Sequence, residues 1–187
     1  MRYPSDHKAE IAQRIVSIAA LRFRAEGLAQ VGIANLMADL GLTHGGFYAH
    51  FGSKEELVAA ACGEALRQQN DRWRQLLAQA PAGEGLAAVT DAYLNIEHRD
   101  FPDSGCALAA LAGELARQGA PVRGRIAGEV GQLTATLAQA RAQDGKEGDA
   151  LLDLALMVGC LALARLVNDA DRSRQLLESA RARLTDK

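Results

Sequence analysis

Aromatic side chains are scarce in this 187-residue chain, at 4%, and none follows Phe101. Its core therefore has to be assembled from Ala, Leu, Val and Ile, a mixture that favours helices over sheets. Proline is rarer still. The four prolines stand at 4, 81, 102 and 121, which leaves Ser5 to Ala80 without a breaker and cuts the rest into helix-length pieces. Three cysteines, Cys62, Cys106 and Cys160, are odd in number and lack zinc-ligand spacing, which excludes a disulfide framework and a structural metal. The longest uncharged apolar stretch, Leu154 to Ala164, falls well short of the roughly 20 residues that span a bilayer. Met1 to Glu10 is polar and unlike a leader, so the expectation is a cytoplasmic chain with no membrane partner. A net charge of -2 excludes a broadly basic surface, and any nucleic-acid contact must come from a local patch. There is no nucleophile elbow, no Cys-x-x-Cys and no phosphate-binding glycine loop, so neither a catalytic residue nor a cofactor is expected.

What is present is helical periodicity. A first helix is predicted over Asp6 to Glu26, ending at Gly27, with Ile11, Ile15, Ile18, Ala19 and Phe23 toward one side. A short second helix covers Ile33 to Leu40, Gly41 ends it, and Thr43 caps a third over His44 to His50. Two short helices about a tight glycine turn suggest a helix-turn-helix. Ser53 and Glu56 fit a capping box that opens a fourth helix reaching Gln79. Further helices are expected over Glu84 to Arg99, Ser104 to Gln118, Val122 to Gln143, Asp149 to Asn168 and Asp171 to Leu184. The expected fold class is all-α with about nine helices, in two units over 6–62 and 63–187.

The window Gly41-Leu42-Thr43-His44-Gly45-Gly46-Phe47-Tyr48-Ala49-His50-Phe51-Gly52-Ser53-Lys54 carries the functional signal. From Leu40 to Lys54 there is no acid, although Asp39 and Glu55 flank the stretch, so an anion can approach without repulsion. Two glycines in the first turn of a short helix cost roughly 1 kcal/mol each against Ala. That cost makes sense where a surface must come close to a groove wall. Phe47 and Phe51 can face the core while Thr43, His44, Tyr48, His50 and Lys54 offer hydroxyl, imidazole and ammonium donors to phosphate. Taken singly these residues are ordinary surface or anchoring groups. His44 and His50 fail as a metal pair, since six residues turn about 240° around a helix.

Ile15 to Ala61 resembles the DNA-binding domain of the TetR/AcrR family of transcriptional regulators, most clearly in Gly41-Leu42-Thr43 and Gly45 to Glu55. The resemblance implies a three-helix N-terminal DNA-binding domain followed by a helical ligand-binding and dimerisation domain. Tyr48, His50 and Lys54 would contact phosphates, Thr43, His44, Gly45 and Gly46 would lie nearest the base edges, and Ala34 and Asn35 could also touch DNA. The family commonly has Thr or Ser where this chain has Gly32, which removes one expected hydroxyl.

The implied function is a repressor that leaves palindromic operator DNA when a small-molecule or reactive effector binds. The helix from Leu151 to Val167 is apolar nearly all round, so one face is expected to meet a second copy, with the last helix completing a four-helix homodimer interface. Trp73 and Tyr93 are candidate pocket walls, with core packing as the alternative. Glu97, His98, Arg99 and Asp100 read as a solvated helix end, or alternatively a polar pocket edge. Cys106 follows Ser104-Gly105 at an expected helix start, where a thiolate is stabilised, and is a candidate sensor of electrophiles or oxidants; Cys62 and Cys160 read as core. Two rival classes remain, a thiol-based helical enzyme using Cys106 and His98 and a helical interaction module without DNA binding.

Overall fold

The computed structural model describes residues 5–186, and all regular structure within them is helical. The helices are α1 (Ser5–Glu26), α2 (Ile33–Asp39), a 3₁₀ helix (His44–Ala49), α3 (Lys54–Gln79), α4 (Gly85–Tyr93), α5 (Ile96–Asp100), α6 (Ala107–Leu115), α7 (Ala120–Gln143), α8 (Ala150–Leu166) and α9 (Ala170–Thr185). No helix among the described residues is long and apolar enough to cross a membrane.

Local chemistry sets the boundaries. Gly27 and Gly41 take positive φ of 87° and 69°, the left-handed conformation that lets the chain turn after α1 and α2. The Thr43 hydroxyl accepts from the Gly46 N–H at 3.2 Å, and Ser53 accepts from the Glu56 N–H at 3.1 Å. In return the Glu56 carboxylate accepts the Gly52 N–H at 2.7 Å, one residue earlier than in a standard capping box. Asp149 and Asp169 cap α8 and α9 with their carboxylates.

Ile15, Ala19 and Phe23 of α1 close with Leu36, Met37, Phe47 and Phe51 on the first turns of α3, where Leu57, Val58, Ala61 and Cys62 are buried. The second half of α3 lies against α7 and α4, with a buried hydrogen bond of 2.7 Å from Thr136 to Asn70. The boundary expected near residue 62 thus falls inside α3, a rod that both units share.

Three element expectations need correction. The third helix is 3₁₀, because only six residues separate the Thr43 cap from the turn before Ser53, and short pieces accommodate the tighter winding. The helix expected over Glu84 to Arg99 is two. Asn95 breaks it: its side-chain amide donates to the Asp91 and Ala92 carbonyls while its oxygen accepts the His98 N–H at 2.8 Å, ending α4 and capping α5. The helix expected from Ser104 starts at Ala107, because Pro102 to Gly105 forms a turn of its own, with the Gly105 N–H on the Pro102 carbonyl at 3.2 Å. Cys106 is therefore the residue before the helix.

Candidate nucleic-acid interface and the cavity behind it

Ala34, Asn35, Thr43, His44, Gly45 and Tyr48 lie on the exposed side of α2 and the 3₁₀ helix, with Gly46, His50 and Lys54 half-buried beside them. Tyr48 is 61% exposed although its ring packs edge-on against both Phe47 and His44. Phe47 and Phe51 stack beneath at 5.7 Å and anchor the segment, as their spacing suggested. Gly32 caps α2 with no side-chain bond, so the missing hydroxyl leaves the helix formed.

The protein itself does not require glycine at 45. A Cβ there would meet nothing within 4 Å, and one at 46 would make ordinary contacts with Thr43 Oγ1 at 3.4 Å and Met37 Cε at 3.9 Å. Any restriction on these positions comes from outside the chain. Of the flanking acids, Asp39 is paired with Arg22 at 2.7 Å and Glu55 is exposed at the start of α3, while Glu56 beyond it accepts the Gly52 N–H. The polar groups facing outward between Asp39 and Glu55 are hydroxyl, imidazole and ammonium. His50 shares a shallow depression with Lys8 of α1, a basic residue that the sequence reading did not single out. Its signal was only its place in the first turns of α1.

A separate cluster lies in the larger unit. Trp73, Tyr93 and Cys106 come together, all buried, with the Trp73 and Tyr93 rings 5.7 Å apart. They line none of the open cavities described and belong to the core. Yet the Trp73 indole N–H is buried without a hydrogen-bond partner, and the Tyr93 hydroxyl has only the Cys106 thiol beside it. Burial, reinforced by the neighbouring Cys106, pushes the Tyr93 phenol well above its ordinary pKa.

His98 departs from the solvated helix end expected of it. Its ring packs edge-on against Tyr93 at 4.6 Å, with Nδ1 2.7 Å from the Tyr93 carbonyl and Nε2 accepting the Cys106 N–H at 2.8 Å. These two bonds fix a neutral ring with its proton on Nδ1. Burial depresses its pKa from 6.5 to about 4, only partly opposed by the bond to Tyr93, and Arg165, Arg72 and Arg24 depress it further. Arg99, also expected to be solvated, reaches Ser173 at 2.9 Å and pairs with Asp100. Cys106 is buried, so reagents reach its thiol only if this packing opens. Burial pushes the Cys62 thiol up to about 12, consistent with a core role.

Beside His98 is a cavity of about 290 Å³ lined by Gln69, Arg72, Ala92, Asn95, Glu97, His98, Ser104 and Gly105. Two contacts join the adjoining α6 region to the end of α1. Arg24 donates to the Asp103 carbonyl at 2.5 Å, and the Leu28 N–H donates to the Glu114 carboxylate at 2.9 Å.

Residues 15–61 match the family model of bacterial regulatory proteins, tetR family. No curated protein matches the chain. Among solved structures, a TetR transcriptional regulator from Chloroflexus aurantiacus is 25% identical, with a TM-score of 0.76, covering 96% of this chain and 94% of that one. NemR of E. coli in its reduced form is 21% identical with a TM-score of 0.80, over 94% of this chain and 95% of its own. A TetR-family regulator from Cytophaga hutchinsonii is 20% identical with a TM-score of 0.79 over 100% of both.

Proposed function

Proceeding from a TetR-family N-terminal domain carried on a TetR-like fold, we propose that this protein is a cytoplasmic, homodimeric repressor released from operator DNA by a small effector. The observation that carries the reading is the acid-free, donor-rich surface of the 3₁₀ helix, with Gly45 free of any steric demand from the protein itself. Residues 6–62 act as the DNA-binding unit and 63–187 as the sensing and dimerising unit. Thr43, His44, Gly45 and Gly46 approach base edges, Tyr48, His50 and Lys54 hold phosphates, and Ala34 and Asn35 flank them. Trp73, Tyr93 and Cys106 form the inner wall of the sensing unit.

Dimerisation is supported by α8. Leu151, Leu152, Leu163 and Leu166 are all exposed, Leu166 at 78%, and share one face with Ala155 and Gly159. Such a contiguous apolar face on a water-facing helix is a mark of burial against a partner. A two-fold dimer sets its recognition segments in successive major grooves about 34–36 Å apart. An effector lowers operator affinity only by binding the wrong spacing better than the right one. The Glu114 and Arg24 contacts supply a mechanical tie between the sensing unit and α1.

The test is a binding titration against the DNA flanking the protein's own gene and a scrambled control, at low and moderate salt. Tight binding to the native DNA alone, weakening steeply with salt through counterion release, is expected. Equal or absent binding to both, followed by a failed selection from random sequence, overturns the regulator reading. Gel filtration of the wild type and Leu166→Glu tests the dimer separately.

A further inference from the structure

The cavity beside His98 has an unbalanced charge. Arg72 lines it with neither an ion pair nor a hydrogen bond to any described residue. Arg165 adjoins it, with Nη2 3.3 Å from where a Gly105 Cβ would stand, and it donates to the carbonyls of His98 and Arg99 at 2.7 and 3.0 Å. Arg24 is likewise satisfied by a carbonyl, that of Asp103. The single carboxylate of the lining, Glu97, is exposed at the rim. Arg72, the one guanidinium in the lining, has no carboxylate partner and Arg165 stands beside it, so this half-enclosed space favours an anion.

The core behind the lining has an equally specific deficiency. Trp73 is one helical turn beyond Gln69, and Tyr93 lies directly behind the His98 ring. The Trp73 indole N–H is buried without a partner, and the Tyr93 hydroxyl has only the weakly accepting Cys106 thiol beside it. Gln69, in the lining, is buried with no hydrogen bond to a described residue, and a ligand reaches Trp73 only if this side chain turns aside. The volume suits a small metabolite, since cavities for drug-sized ligands run from roughly 300 to 1,000 Å³.

We propose that this cavity binds a small organic carboxylate, its anionic end paired with Arg72 and an adjacent keto or hydroxyl oxygen accepting from Trp73 and Tyr93. As the identity of the effector this rests on the regulator reading above; as a binding site it stands without it.

Trp73 is the chain's only tryptophan, so its emission reports on the site directly. The full-length protein, without DNA, is titrated with straight-chain carboxylates from acetate to octanoate, with their 2-oxo acids, and with the matching amides. The carboxylates are expected to change the emission saturably, the 2-oxo acids to bind tighter, and the amides to bind at least tenfold more weakly. Arg72→Gln, on the exposed rim, should weaken binding by about ten- to hundredfold, with partial recovery in Arg72→Lys. Tyr93→Phe should remove the preference for the 2-oxo acid. No response to any carboxylate, an equal response to the amides, or unchanged binding in Arg72→Gln overturns the proposal. Because no DNA is present, a protein that binds carboxylate but no operator upholds the site and overturns only the regulator reading.

Discussion

His98 makes stability depend on pH in a window where few other groups titrate. In the folded chain its pKa is near 4, against 6.5 when exposed, because the ring is buried against Tyr93 and faces Arg165, Arg72 and Arg24, while Nε2 is occupied by the Cys106 N–H. The folded ring thus binds a proton more weakly than the unfolded ring. Its contribution is complete above about pH 6.5 and is lost as pH falls toward 4. The full loss is about 3 kcal/mol, of which about 2 kcal/mol is gone by pH 5, before most carboxylates take up protons. Urea denaturation from pH 7.5 to 4.5 at fixed protein concentration, for wild type and His98→Gln, isolates this dependence. The variant is less stable throughout, since it loses the ring contact, so the slopes rather than the offsets carry the test. Wild-type stability should fall more steeply between pH 7 and 5 than that of the variant. Parallel curves would refute the assignment of a neutral, doubly bonded ring.

Other perturbations separate the two halves of the molecule. Gly45→Ala should fold normally, with stability unchanged or raised by up to about 1 kcal/mol, yet lose at least about tenfold in operator affinity if this surface meets the groove wall. A thermal melt beside a DNA titration checks both. Lys54→Ala should reduce the slope of log affinity against log salt by about one phosphate contact, visible in titrations at four or five salt concentrations. Glu114→Ala removes the acceptor of the buried Leu28 N–H and should cost about 1.5–3 kcal/mol in urea denaturation; loss of effector response at retained DNA affinity would mark it as the tie between the units. Gly105→Ala puts a Cβ 2.6 Å from the His98 ring and should cost about 1–3 kcal/mol, read as a lowered melting temperature.

The sequence by itself determined the helical class, the start of α3 and the glycine turn before the 3₁₀ helix. Those features follow from short-range chemistry: a Thr43 or Ser53 hydroxyl bonds a backbone N–H three residues on, and Gly27 or Gly41 turns the chain by itself. The outward set on the 3₁₀ helix was legible for the same reason, because Phe47 and Phe51 fix which side faces in. Asn95 was also local, but its ability to stop one helix and cap the next depends on competition between its side chain and the backbone, which helical periodicity does not reveal. Only the tertiary structure decided what becomes of His98. Its charge state follows from Tyr93 and Cys106, which flank it in sequence, and from Arg24, Arg72 and Arg165, which arrive from α1, α3 and α8. Arg165 lies 67 positions from His98 in the chain, and the resulting desolvation and field cannot be read from any one segment.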